Sequence, residues 1–321
     1  MGEQQATKVR DERIDAVKFW LVFLVITGHV VMRKEFADST ICLVMWNWLF
    51  IFDIPLFVFI SGYFFRKKDK RDFWPSIGKI LEPLIIFHLI GIFFYKDSLS
   101  IRTILSPWFM LWYLLSLIYW RILLQIIPDK ILRHKKLVII GTFCISILAG
   151  YLPLDQVFSL QRTLAFMPFF FLGYYMKGKS LYLPNKYKPY CFAFLVFIFA
   201  ILFFFSHRIN YKYVAIPYIH IYDAAIRMII FALAIPMSVA FVNVCPNTLW
   251  IARQGRMSMQ YYIYHAFMIP PIMMVVSKLN IPMSFIVAAF IIVGIALVIY
   301  AICKIPFLRM LTNPLSFFNN G

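Results

Sequence analysis

The chain has 321 residues, of which 62% are apolar, 19% aromatic and only 14% charged, and its mean hydropathy is +0.79. Soluble domains carry about a quarter charged residues, so a soluble fold, which would have to bury every long apolar run at once, is excluded. The net charge of +18 by itself suits a nucleic-acid partner, but the placement of the cations decides otherwise.

In chain order, apolar runs close to the ~20 residues that cross a bilayer core fall at 14–32, 42–64, 80–95, 104–127, 136–154, 158–176, 189–206, 222–244, 257–277 and 281–303. They predict an all-α, polytopic membrane helical bundle of about ten transmembrane helices. Ten spans place both termini on one side. That side receives 22 of the Lys and Arg residues and the opposite side seven, while Lys18, Arg162 and Arg227 lie within spans. The positive-inside rule then puts both termini in the cytoplasm. The basic excess becomes a topology signal plus attraction to anionic lipid, and nucleic acid drops out as a partner.

The expected organisation is a cytoplasmic tail at 1–13, one integral membrane domain at 14–305 and a second cytoplasmic tail at 306–321. The first apolar run is as long as a full span, which predicts a retained helix rather than a cleaved signal. Ala6 stands where a myristoylation motif needs Ser or Thr. Cys42, Cys144, Cys191, Cys245 and Cys303 are scattered without metal-like pairing, so they read as small apolar packers and no metal is expected.

Charged groups in a bilayer are costly and normally face a cavity or a partner. Lys18, Asp53, Glu82, Arg162 and Arg227 fall within or at the ends of the apolar runs, with His29, His88 and His265 as titratable company. Their number predicts a polar cavity inside the bundle. Lys18 and His29 are eleven residues apart, which on a helix is three turns plus a small rotation, so both share one face about 16 Å apart along the axis. Asp15 lies one turn before Lys18, and the two can pair. Gly28 removes a side chain beside the imidazole, and Pro55 kinks a span that ends in the small polar pair Ser61–Gly62. That pair suits either a ligand or a helix-packing contact. Asp223 and Arg227 have the spacing of an intrahelical pair, His88 reads as a satisfied core histidine, and Trp108 and Trp112 as interfacial anchors.

Lys18 and His29, followed by DIPLFVFISGYF at 53–64, PWFMLWYLL at 107–115, FMPFFFLGYYM at 166–176 and GRMSMQYYIYHAF at 255–267, together resemble the membrane-bound acyltransferase family 3. The similarity is greatest to its fucose 4-O-acetylase-like branch. It implies O-acyl transfer, usually of acetyl, from cytoplasmic acyl-CoA to a hydroxyl presented on the outer side of the membrane. Acetyl-CoA is then a co-substrate, with no resident cofactor. The partners are acyl-CoA, a sugar or glycan acceptor that is for example lipid-linked, and membrane lipid, and the expected location is the plasma (inner) membrane.

The resemblance also assigns residues. Lys18 and His29 match the family's basic residue, ten-residue spacer and essential histidine. Arginine is commoner at the first position, and lysine lacks its bidentate fork. The family's Arg-x-x-Arg pair that handles CoA corresponds here to Ser76 and Lys79, leaving phosphate binding to be shared with Arg66, Lys67, Lys68, Lys70 and Arg71. Many relatives carry a histidine where this chain has Asp53. The expected catalytic residues are therefore His29 as general base with Lys18. Asp15, Asp53, Arg162 and His265 are supporting or oxyanion candidates, and Ser61, Gly62, Arg66, Arg71 and Lys79 are the acyl-CoA contacts. A transporter or flippase of a glycan precursor or polar solute, and a non-catalytic subunit of a glycan-assembly complex, are the rival readings. The intervening outer loops are too short for an inserted delivery domain, so the acceptor is expected to come to the membrane.

Overall fold

The computed structural model describes residues 11–36, 38–95, 99–154, 157–205, 215–282 and 284–312. Every regular element among them is helical. The α-helices are α1 (Glu12–Val31), α2 (Thr40–Phe64), α3 (Lys70–Tyr95), α4 (Ile101–Leu105), α5 (Trp112–Ile126), α6 (Asp129–Leu132), α7 (Lys135–Ala149), α8 (Leu160–Met176), α9 (Lys188–Phe205), α10 (Asp223–Val244), α11 (Leu249–Gly255), α12 (Ser258–Lys278), α13 (Phe285–Ile302) and α14 (Pro306–Leu311).

Each of the ten expected stretches contains a helix, but the lengths differ from expectation. Among the described residues, six helices are long and apolar enough to cross a membrane: α1, α2, α3, α9 with its preceding turn, α10 and α13. The stretches 104–127, 136–154 and 158–176 hold helices of 15, 15 and 17 residues, shorter than the ~20 residues of a typical bilayer crossing. At 21 residues α12 is long enough, but it carries Gln260, His265 and three tyrosines. The expected span 104–127 is interrupted because Pro107 stands in a non-helical segment and Phe109 takes a left-handed φ of 48°. At the other extreme α3 starts at Lys70, so two thirds of the expected basic loop 65–79 is helix.

The bundle is built around α2, which packs along α8 and also touches α1, α9 and α10, while α1 is wrapped by α11 and α12. The α2–α8 crossing is set by glycines: a Cβ at Gly62 would strike the Phe170 carbonyl, and one at Gly173 the Phe59 carbonyl. Small residues of this kind let helix backbones approach where the solvent around the helices is as apolar as the packing residues. The outward faces keep large aromatics in the open, with Phe93 81%, Phe204 78% and Phe290 74% exposed. Such a surface suits hydrocarbon rather than water.

Polar side chains buried in this apolar body serve as pins. Thr163 donates to the Ser159 carbonyl at 2.9 Å, leaving its oxygen to accept from Ser116 at 2.7 Å, and Trp120 Nε1 donates to the Thr163 carbonyl at 2.9 Å. Ser146 donates to the Ala165 carbonyl at 2.7 Å. The start of α8 is thereby fixed to α5 and α7. Arg227 on α10, fully buried, donates to the carbonyls of Ser146 (2.6 Å) and Ile216 (2.9 Å), tying the 215–218 segment to the same corner. Asp223 accepts from the amides of Ile219 and His220 at 2.8 and 2.9 Å, so these two residues hold a turn as well as sharing a helix face.

Candidate active site

α1 carries His29 to its C-terminal end. The helix starts on Asp11, whose carboxylate accepts from the amides of Arg13 and Ile14 at 3.0 and 3.3 Å, the usual use of Asp at an N-cap. One turn in, Lys18 donates to Asp15 at 3.2 Å as the spacing predicts, and its ammonium lies 4.3 Å from the centroid of the Phe64 ring. Asp15 is 2% exposed and also faces Arg256 Nε at 3.8 Å. Arg256 in turn reaches Glu12 at 3.4 Å. Gly255 sets this network, because its missing Cβ gives way to the Asp15 carbonyl.

His29 stands at the other end of α1, with Val22 and Val25 buried on the face between it and Lys18. Val25 is also one of the residues lining the cavity at His29. Nδ1 of His29 is buried without a hydrogen-bond partner. The ring borders a cavity of about 220 Å3 also lined by Gly28, Asp53, Trp112, Arg162 and Phe166, so α1, α2, α5 and α8 all contribute. A Cβ at Gly28 would meet nothing closer than Leu49 Cδ1 at 3.9 Å, so no neighbouring backbone packs there and the missing side chain leaves room in the cavity beside the imidazole.

Asp53, 5% exposed, accepts from the Ile54 amide at 2.5 Å just before Pro55, which has no amide hydrogen to give. Arg162 places its guanidinium 5.2 Å from the centroid of the Trp112 ring. Arg162 and Asp53 line the same cavity.

His265 on α12 comes up behind His29. The ring centroids are 5.7 Å apart. Nδ1 of His265 lies 2.7 Å from the Tyr261 carbonyl, which can only accept, so in the neutral ring Nε2 bears the lone pair. That Nε2 is buried and unpartnered.

The segment 106–111, between α4 and α5, closes the remaining side. Phe109 sets its ring edge-on to His29 at 5.1 Å. The segment is pinned from two helices. His88 on α3 accepts from the Trp108 amide at 3.0 Å and so donates through Nε2 to the Ile104 carbonyl at 2.8 Å, a satisfied histidine as read from its surroundings. On α12, the Tyr262 hydroxyl donates to the Met110 carbonyl and Phe267 stacks on Trp108 at 4.5 Å. Trp108 is 6% exposed, a core residue rather than the interfacial anchor expected.

The expected acyl-CoA contacts scatter. Ser61 shares a hydrogen bond of 2.5 Å with Tyr113, and Gly62 is filled by the Phe170 backbone, so Gly62 is a packing position with no room for a ligand. Arg66, Arg71 and Lys79 are exposed, and Ser76 turns its hydroxyl to the Phe73 carbonyl at 2.7 Å. Lys67 donates to the Ile127 carbonyl and Asp129 at 2.6 and 2.7 Å. Arg66 lies against Lys177, whose ammonium is held below its usual range by burial and then by that guanidinium. One residue was missed. Arg121, counted from sequence among the 22 cytoplasmic cations although the expected span 104–127 includes it, lies inside α5, is only partly exposed and buries Nε without a partner. The lone cation within WYLLSLIYWRILLQI is the signal that could have found it.

Compared with protein families, residues 11–303 match the acyltransferase domain of acyltransferase family 3. The chain belongs to this family. No curated protein and no solved structure matches it significantly. Family and apolar helices together identify a membrane acyltransferase, and the cavity at His29 is its candidate active site.

Proposed function

We propose that the protein is an O-acetyltransferase of the fucose 4-O-acetylase-like branch, moving acetyl from cytoplasmic acetyl-CoA to a hydroxyl of an extracytoplasmic or lipid-linked sugar. One observation carries this: in a chain of the acyltransferase family, His29 leaves a ring nitrogen unpartnered beside a cavity that also holds Asp53 and Arg162. A buried imidazole nitrogen kept without a partner is a standing cost unless a substrate supplies one.

The acceptor O–H gives its proton to His29 as the oxygen attacks the thioester carbonyl. Arg162 lies where it can face the oxyanion that forms. Collapse of that intermediate breaks the C–S bond, the imidazolium returns the proton to the departing thiolate, and the products are the acetyl ester and free CoA. His265 acts through His29: its Nδ1–H is tied to Tyr261, which leaves Nε2 as the acceptor of a ring 5.7 Å from the first.

The charge bias of 22 to seven supports cytoplasmic termini in a plasma membrane. The four helices short of the full criteria complete ten crossings in this reading. The end of α1 bearing Lys18 and Asp15 then faces the cytoplasm, against the end of α2 at Phe64, and the exposed Arg66, Arg71 and Lys79 on the same side of the membrane attract the phosphates of CoA. Arg121 adds a further cation on α5, within the electrostatic reach of Tyr113, whose hydroxyl meets Ser61.

The test is direct. Full-length protein in proteoliposomes is given radiolabelled acetyl-CoA and a panel of p-nitrophenyl glycosides, and free thiol and sugar ester are measured. Stoichiometric appearance of both is expected. Glycoside movement across the vesicle wall with no thiol released would favour the transporter instead.

A further inference from the structure

A second cavity, of about 350 Å3, adjoins the first and shares Trp112, Arg162, Ala215 and Ile216 with it. Its floor is the beginning of α8, where Ser159 and Gln161 line it. Gln161 is 3% exposed and Ser159 2%, yet neither amide atom of Gln161 nor the hydroxyl of Ser159 has a hydrogen-bond partner. Three orphaned polar atoms within three residues are far from what folding alone selects. A buried polar atom left without a partner is a cost to folding, and leucine or alanine would pack there without it.

The backbone around them is equally unusual. Phe158 and Ser159 adopt left-handed φ values of 54° and 56°, disfavoured for residues with a side chain. Although Ser159 occupies the N-cap of α8, its side chain makes no capping hydrogen bond. Its carbonyl is held by Thr163 and the following turn by Ser116, Trp120 and Ser146. The open polar groups are therefore fixed rather than collapsible, and the opposite wall at Ile216 is fixed by Arg227.

We infer that this second cavity is a sugar-binding subsite, in which Gln161 and Ser159 recognise the hydroxyls of a pyranose ring. The amide and the hydroxyl each both donate and accept, which matches adjacent sugar hydroxyls that do the same. A simple anion would use only donors, and an apolar ligand would leave all three atoms unpaired. Trp112 offers a ring face on the shared wall, and Arg162 reaches both cavities. Resting on the acyl-transfer reading, the occupant is the acceptor, held so that one further hydroxyl crosses the shared wall toward His29.

The experiment is saturation-transfer NMR on full-length protein in nanodiscs, with p-nitrophenyl hexosides and N-acetylhexosaminides as probes and no acetyl-CoA present. At least one pyranoside should receive saturation in the wild type, and its half-saturation concentration should rise about tenfold or more in Gln161→Leu, as expected for the loss of paired amide bonds. Gln161→Leu removes orphaned atoms, so its thermal midpoint should hold or rise. Should it fail to fold, Gln161→Asn and Ser159→Ala give the same reading, each weakening the pyranoside. No saturation of any probe by the wild type, or unchanged binding in the folded variants, overturns the inference. Because sugar binding is read without a donor, its loss is distinct from failure of the acyl-transfer reading, which would appear as intact, Gln161-dependent binding with no ester formed once acetyl-CoA is added.

Discussion

His29 and His265 come from helices at opposite ends of the sequence, and their rings lie 5.7 Å apart with one nitrogen of each buried and unpartnered. The second ring is anchored to its own helix through Tyr261, while the first borders the cavity. Their chemistry is consequently unequal. His29→Ala should lower acetyl transfer by about a hundred- to ten-thousand-fold, the usual worth of a general base, with the thermal midpoint unchanged. His265→Asn should lower it less and shift the pH profile of kcat/KM. Steady-state rates across pH would decide, and a His29→Ala protein that folds and transfers acetyl at the wild-type rate would remove His29 from the chemistry.

His88 is expected to matter at a distance. Replacing it with alanine leaves the Trp108 amide and the Ile104 carbonyl without their partner, at about 1–3 kcal/mol. A lower thermal midpoint should accompany a lower kcat, since the same segment sets Phe109 against His29. Unfolding curves and rates on one preparation check both, and a variant that loses stability alone would show that the segment does not shape the site.

Gly62 separates packing from ligand binding. Gly62→Ala and Gly173→Ala each place a methyl group against a backbone carbonyl across the α2–α8 crossing, so both should destabilise by about 1–3 kcal/mol through overpacking. Neither should raise the KM for acetyl-CoA selectively. A selective rise in Gly62→Ala with normal stability would restore the ligand role.

Arg121 should show a stability–activity trade. Arg121→Met removes a buried, unpartnered nitrogen from an apolar helix, so the thermal midpoint should rise while the KM for acetyl-CoA also rises. Calorimetry and donor titrations together test this. A fall in stability would mean that the guanidinium holds the fold.

Sequence patterning carried the parts of this molecule governed by neighbours along the chain. The Asp15–Lys18 pair, the placement of His29 near a helix end and the helical nature of all ten apolar stretches follow from i to i+4 spacing and hydropathy alone. What it missed depends on other helices. The segment 106–111 reads as part of a span until Phe109 is seen turned by contacts from α3 and α12, and Trp108 reads as interfacial until Phe267 covers it. Gln161 is one uncharged residue at the edge of an apolar run, and only the cavity beside it gives it meaning. Arg121 was hidden by being counted as topology.

The anchoring of 106–111 has a kinetic consequence. Its Trp108 amide is bolted to α3, and its Met110 carbonyl and indole face to α12. A flap hinged at its own two ends cannot therefore swing away from the imidazole. Clearing that doorway requires α3 and α12 to shift along with it, a collective rearrangement on the microsecond-to-millisecond scale rather than a nanosecond flicker.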